Sequence, residues 1–310
     1  VIRKLIGTMI VVAMVASACS AGSDEATTTT ATSATFEGSD GAVSSIEDTS
    51  RIVTLNGDLT EITFALGAGD RVVGVDLTTT YPEEAVGLPD VGLSRTLDPE
   101  AVIGLSPTLV VGDTQVEPAS AIAQIRDAGI PVVIIPAEVT LEGAIRKIAT
   151  MGTILGLEDA ASDLTSEVQA EIDDALALAD TATSAPRVAY TYVRGPETLL
   201  LFGNGMPTHF LIGAAGGIDA AGEVGVIFAE DLSAERLVLA SPDVLIAPTE
   251  GFDILGGLDA YLALPGVADT PAGRARAVLT YDEALLLGMG PRVGSALRQL
   301  VLDLHPELGG

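Results

Sequence analysis

One cysteine, two histidines, two lysines and no tryptophan occur in 310 residues, and each scarcity removes a class of chemistry. Cys19 stands alone, so the chain forms no intramolecular disulfide and no cysteine-based zinc cluster. Positive charge is also scarce: 15 basic residues face 43 acidic ones, a net charge of −28, and Lys4 and Lys147 are the only lysines. Such a surface repels phosphate backbones and anionic headgroups, so nucleic acid is not an expected partner, and the acidity reads as adaptation to salt or as solubility. Enzyme signatures are missing too. There is no Gly-x-Ser-x-Gly, no His-Glu-x-x-His and no cysteine nucleophile, and the Asn204-Gly205 turn lacks the Lys-Ser/Thr of a phosphate loop. What is abundant is apolar: 48% of residues are hydrophobic, enough for a substantial packed core.

The N-terminus has its own grammar. Arg3 and Lys4 precede an apolar stretch from Leu5 to Val15, then Ala16-Ser17-Ala18-Cys19. The apolar stretch is too short to span a bilayer, and the small residues before the cysteine look like a lipoprotein signal. Residues 1–18 are therefore expected to be a signal peptide, with Cys19 as the lipidated terminus. Residues 19–50 are rich in Thr, Ser, Ala, Gly and acid, and are expected to be a disordered linker.

One phrase occurs twice. Leu97-Asp98-Pro99-Glu100-Ala101-Val102-Ile103-Gly104-Leu105-Ser106-Pro107 and the apolar run after it return as Leu232-Ser233-Ala234-Glu235-Arg236-Leu237-Val238-Leu239-Ala240-Ser241-Pro242 and another apolar run. Asp98 and Ser233 are helix-capping residues, and Glu100 and Glu235 place charge at the positive end of the helix dipole. Ser-Pro then ends the helix, and a buried strand follows. A helix-then-strand phrase in each half predicts two lobes of one kind.

The rest of the pattern agrees. Strands are predicted at Arg51–Leu55, Arg71–Val75, Val132–Ile135, Arg187–Val193, Thr198–Phe202 and Ala277–Leu279. Helices are predicted at Leu59–Leu66, Leu141–Leu155, Thr208–Ala215 and Arg292–Leu304. Between the halves, Glu158–Asp180 carries a single apolar stripe of Leu164, Val168, Ile172 and Leu176. A helix of roughly 22 residues spans about 33 Å, enough to join two lobes. The expected fold is α/β: two Rossmann-like lobes, 51–155 and 183–310, joined by one long helix within 156–182, with a ligand cleft between them.

Several stretches resemble a known family. They are Thr54-Leu55-Asn56-Gly57-Asp58-Leu59-Thr60-Glu61, Asp70-Arg71-Val72-Val73-Gly74-Val75, Thr79-Thr80-Tyr81-Pro82, the phrase at 97–111, Tyr192-Val193-Arg194-Gly195 and Leu286-Leu287-Gly288-Met289-Gly290-Pro291-Arg292. Together they resemble the hemin-binding proteins of bacterial ABC hemin importers, in the helical-backbone class shared with cobalamin and iron-siderophore binders. The resemblance implies a transported heme ligand, a membrane permease with its ATPase as partners, and Glu100 and Glu235 as permease-docking residues. It also implies Tyr192 as an axial ligand of heme iron. Phenolate oxygen is a hard donor suited to ferric iron, and a neighbouring cation such as Arg194 both lowers a phenol pKa and pairs with a propionate.

On a strand, residues two apart face one side, so Tyr192 and Arg194 are expected to look into the cleft together. The first lobe departs from the family, with Leu93-Ser94-Arg95 where relatives supply a tyrosine or histidine. Arg95 remains a propionate partner, Tyr81 a further cleft residue, and His209 a possible second iron ligand beside the loop from Gly203 to Pro207. Phe202, Met206 and Phe210 are apolar candidates for a porphyrin face. His305 is expected in solvent. Cobalamin or a ferric siderophore as cargo, and an enzyme or chelatase of the same fold, are the alternatives.

Overall fold

The computed structural model of the chain describes residues 34–309. The expected signal peptide, lipidated Cys19 and the linker up to Ser33 lie outside the described residues.

The linker expectation fails for its second half. Strands β1 (Ala34–Glu37) and β2 (Val43–Ile46) form an antiparallel hairpin that pairs Ala34 with Ile46 and Glu37 with Val43. Asp40-Gly41 makes the turn, with Gly41 in the left-handed region at φ 77°, the backbone that an Asp-Gly hairpin signal specifies. The hairpin is pinned to the edge of the first lobe: Ser44 Oγ donates to the Val132 carbonyl at 2.9 Å, the Ser39 amide to the Ile134 carbonyl at 2.7 Å, and Arg126 pairs with Asp40 at 2.6 Å. Ile46 is buried in the core. Polar composition hid two apolar anchors, Phe36 and Ile46, on either side of one good turn.

The first lobe has four parallel strands in the order β4-β3-β5-β6: β3 (Ile52–Thr54), β4 (Val72–Val75), β5 (Leu109–Asp113) and β6 (Val132–Ile135). Its first helix, Gly57–Ala65, follows β3 directly, and helix Leu141–Leu155 ends at Gly156, whose φ of 68° is the left-handed closure glycine permits. The connecting helix, Glu158–Ala179, then crosses to the second lobe.

There the sheet is mixed, not a repeat of the first. Strand β7 (Arg187–Val193) lies parallel to β9 (Ile218–Asp219) and β11 (Val244–Pro248), and β11 to β12 (Val278–Tyr281); β8 (Leu199–Phe202) runs antiparallel to β7, and β10 (Ala229–Asp231) antiparallel to β8. Only a short turn separates β7 from β8, closed by the Arg194 amide on the Thr198 carbonyl at 3.0 Å. A parallel return needs a crossover of a dozen or more residues, so the antiparallel direction is forced.

The repeated phrase folds as helix then strand in both halves, Pro99–Gly104 before β5 and Ala234–Ala240 before β11. Asp98 accepts from the Glu100 amide at 3.0 Å and Ser233 from the Arg236 amide at 3.2 Å. Ser106 and Ser241 both turn at φ 49° ahead of their prolines.

Each lobe keeps one private core, around Val53, Val102 and Ile125 in the first and Ala189, Leu237 and Tyr261 in the second. The other faces of both sheets merge. Ile52, Leu109, Ile148 and Met151 join Val168 and Ile172 of the connecting helix and Tyr190, Leu297 and Leu300 of the second lobe in one continuous apolar cluster.

A polar clasp reinforces this seam. Lys147, 3% exposed, pairs with the equally buried Asp58 and donates to the Gly288 carbonyl of the second lobe at 2.9 Å. Nearby, Glu61 accepts from the Arg292 side chain at 2.8 Å and from its backbone amide at 3.2 Å. The crowding is severe enough that a Cβ at Gly288 would lie 2.6 Å from the Ala284 carbonyl and 3.3 Å from Asp58. Asp113 sits close by, its carboxyl pushed up by burial and then by the Asp58 charge, with Asn56 and Lys147 acting in the opposite sense.

Removing one partner of a buried pair strands the other charge in low dielectric, which costs about 3–5 kcal/mol. Lys147→Met should lose stability of that order in urea or thermal unfolding, and adding Asp58→Asn should recover part of it. A Lys147→Met protein as stable as the parent would show that the clasp is ornamental.

Candidate functional site

The parallel strands of each lobe deliver their C-terminal ends to the inter-lobe side, where Thr80 Oγ1 of the first lobe approaches Asp282 of the second at 3.5 Å. Tyr192 is the penultimate residue of β7 and Arg194 lies just beyond it. Strand alternation sends Thr191 to the opposite face, where its hydroxyl meets Tyr261 at 2.5 Å. The Arg194 guanidinium lies 5.9 Å from the centre of the Tyr192 ring. Both side chains meet at one carboxylate: Tyr192 donates to Glu283 Oε1 at 3.0 Å, and Arg194 donates to the two Glu283 oxygens at 3.3–3.4 Å.

Behind Tyr192 stands an aromatic stack. Its ring is 5.2 Å from that of Phe202, which lies 5.3 Å from Tyr190. Phe202 is thus a core residue rather than an exposed porphyrin contact.

The phenol of Tyr192 is harder to ionise than an ordinary tyrosine, contrary to the expectation from its cationic neighbour. Burial is the largest cause, the Glu283 charge the next, and Arg194 and Arg95 oppose them without prevailing. Arg95 acts on the phenol from the first lobe through its charge alone, without a hydrogen bond to it. It is exposed, donates to Gln115, and follows Ser94, whose amide is held by buried Asp76 at 2.6 Å.

Glu283 escaped the sequence reading. It opens the short helix Glu283–Leu287, which Asp282 caps by accepting from the Leu285 amide at 3.1 Å. The capping signal was visible at Asp282, but nothing local tells that Glu283 turns back toward β7, 91 residues earlier. Two other side chains join the rim. The Glu250 charge reaches Arg194, and helix Thr249–Leu255 lies so tightly on the end of β7 that a Cβ at Gly251 would sit 1.6 Å from the Val193 carbonyl. This brings the exposed Ile254 beside Gly195, while Leu77, also exposed, follows β4 in the first lobe.

The remaining candidates are dispersed. Tyr81 lies under the Arg292 guanidinium at 3.9 Å, at the inter-lobe clasp, and borders a groove of about 500 Å³ with Phe64, Leu164 and Glu171. His209, expected at the cleft edge, lies elsewhere. Because β8 runs antiparallel, the loop from Gly203 to Pro207 emerges at the opposite edge, and His209 Nδ1 is held at 2.8 Å by Asp219, which pairs with Val188 near the start of β7. His305 is wholly buried rather than solvated, its Nε2 3.0 Å from the Ala215 carbonyl, because the turn Pro306–Leu308 folds the chain end over it. Glu100 and Glu235 are exposed in the first turns of their matching helices. Among the described residues no group of three or more His, Cys, Asp or Glu side chains is arranged to hold a metal ion, and no helix is long and apolar enough to cross a membrane.

Tyr190, Tyr192, Tyr261 and Tyr281 are all shifted upward, in each case chiefly by burial. Their folded pKa values exceed the unfolded one, so the stability they contribute is complete below about pH 10 and is lost as pH rises through the folded values. Absorbance titration should therefore show most phenols still protonated at about pH 10 in the folded protein and ionising together when alkali unfolds it. Tyr192→Phe should remove one late-ionising phenol. Ordinary titration of all five tyrosines would contradict the burial described.

Comparison with known proteins agrees with this architecture. Residues 52–285 match the family described as periplasmic binding protein. The apo form of the periplasmic heme-binding protein RhuT from Roseiflexus sp. RS-1 is 42% identical, with a TM-score of 0.81 over 84% of this chain and 100% of that one. The heme-binding protein HmuT is 28% identical, with a TM-score of 0.83 over 89% and 91%. Among curated sequences, a cobalamin-binding protein of Halobacterium salinarum is 30% identical over 87% of this chain and 73% of its own length. On these grounds the chain belongs to the periplasmic binding protein family, whose members bind substrates for transport rather than transform them.

Proposed function

We propose that the protein is a lipid-anchored extracytoplasmic carrier that binds hemin and delivers it to an ABC permease and its ATPase. The observation that carries this reading is the meeting of the Tyr192 phenol with the Arg194 guanidinium at the end of β7, with the charge of Arg95 acting on the phenol from the first lobe. A phenol oxygen suits ferric iron, and guanidinium groups suit propionates bidentately. Exposed Ile254 and Leu77 offer apolar surface for a porphyrin. The heme-binding solved relatives support the choice of cargo. The name of a Bacillus subtilis relative, an ABC transporter substrate-binding lipoprotein, 27% identical over 84% of this chain and 82% of its own length, supports the anchor.

In this reading Tyr192 supplies the axial oxygen, and Arg194 and Arg95 clamp the carboxylates. Glu100 and Glu235, at equivalent places in the two lobes, orient the carrier on the permease through exposed ion pairs that set register more than affinity. His209, held by Asp219 beside the start of β7, is not part of the reading.

Cobalamin is the second reading, favoured by the Halobacterium relative. Titration of the purified protein with hemin and with cobalamin separates the two. Hemin should produce a ferric absorption spectrum that Tyr192→Phe alters and weakens; preference for cobalamin, with Tyr192→Phe without effect, would replace the hemin reading. Glu100→Ala with Glu235→Ala should sharply reduce uptake in cells while leaving hemin affinity unchanged, and normal uptake would remove both from docking.

A further inference from the structure

Glu283 holds both groups that the hemin reading assigns to the cargo. Its carboxylate accepts the Tyr192 hydroxyl at 3.0 Å and lies against the Arg194 guanidinium at 3.3 Å, as a propionate would. We propose that Glu283 is a built-in competitor for the cargo, a carboxylate that must swing away before Tyr192 and Arg194 can bind a metalloporphyrin, and so sets which ligands are accepted. The inference rests on the hemin reading.

The surroundings define the competition. Tyr192 and Arg194 face Glu283 from β7, Asp282 precedes it on its own turn, Glu250 acts on the same guanidinium from helix Thr249–Leu255, and Arg95 reaches the phenol from the first lobe. An ionised phenol and a carboxylate 3.0 Å apart repel one another, so the contact that is favourable with the phenol protonated opposes an iron–oxygen bond. Arg194 cannot give its full fork to a propionate while Glu283 occupies it.

Release is feasible because nothing else needs the side chain where it is. The Glu283 side chain is 22% exposed, and the helix it opens is capped by Asp282 rather than by Glu283 itself. Swung outward, the carboxylate keeps its favourable place at the positive end of that helix. A ligand offering both a Lewis-acidic metal and a free carboxylate replaces both contacts at once. One whose ring substituents are neutral amides, as on a corrin, has no carboxylate to take the place of Glu283 on Arg194. Glu283 thus discriminates by what the cargo must displace rather than by what it touches.

The test compares wild type, Glu283→Gln and Glu283→Ala for hemin affinity and for the rate of hemin loss to a scavenging apoglobin, with circular dichroism confirming the fold. Gln keeps the shape and loses the charge, so hemin should bind about tenfold more tightly and leave correspondingly more slowly. Metal-free protoporphyrin, which carries the carboxylates alone, should gain less. Unchanged or weaker hemin binding in both folded variants would overturn the competitor role and make Glu283 a support for Tyr192. Failure of the wild type to bind hemin at all would instead overturn the cargo assignment, and this inference with it.

Discussion

A single buried ammonium holds the two halves in register. Lys147 reaches Asp58 in its own lobe and the Gly288 carbonyl in the other, and Glu61 repeats the connection one turn along by gripping Arg292. Because the core on this side runs unbroken from β3 through the connecting helix to Val293–Leu304, the clasp works inside a packed seam and not across a wet gap. Low dielectric makes the pairing strong and its disruption expensive. The segment it fixes, Gly288–Arg292, directly follows the helix that begins with Glu283, so the same clasp positions the carboxylate facing Tyr192.

Much of this architecture was legible in the sequence, for identifiable reasons. Helix Leu141–Leu155 and the connecting helix were readable because 3.6-residue periodicity is local and both carry clean stripes. The repeated phrase was readable because capping residues and Ser-Pro are local too. The pairing direction of β8 was less so. The strand itself was visible, but an alternating α/β expectation overrode the short turn that forces it antiparallel, and this one choice moved His209 to the wrong edge of the sheet. The hairpin at Ala34–Ile46 was missed because bulk composition outweighed an Asp-Gly turn flanked by Phe36 and Val43.

The site was legible in half. Tyr192 and Arg194 sit two apart on a strand, and period-two geometry brings them to one side wherever that strand lies. Glu283 and Arg95 come from other elements, and no local signal announces a contact across 91 residues or across a cleft. The same distance effect reversed the expected electrostatics: neighbouring Arg194 suggested an acidified phenol, whereas burial and a remote carboxylate raise it. Asn56–Glu61 and Leu286–Arg292 had been singled out separately by family resemblance, and the fold shows why they belong together. Asp58 and Glu61 face Gly288 and Arg292 through the clasp.

The clasp also limits how the lobes can move around a cargo. Wide separation of the halves at the seam would strand Lys147 or Asp58 without a partner and open the shared core, at a cost comparable to a large share of a typical domain's net stability. Motion that leaves the seam intact is confined to parts of the lobes away from the Lys147–Gly288 contact. A cargo is then gripped by small rim adjustments and by side chains changing partners, Glu283 foremost, rather than by closure of two free lobes. Under the proposed docking role of Glu100 and Glu235 such rigidity is useful, because the two belong to different lobes and a rigid seam keeps the spacing between them nearly constant.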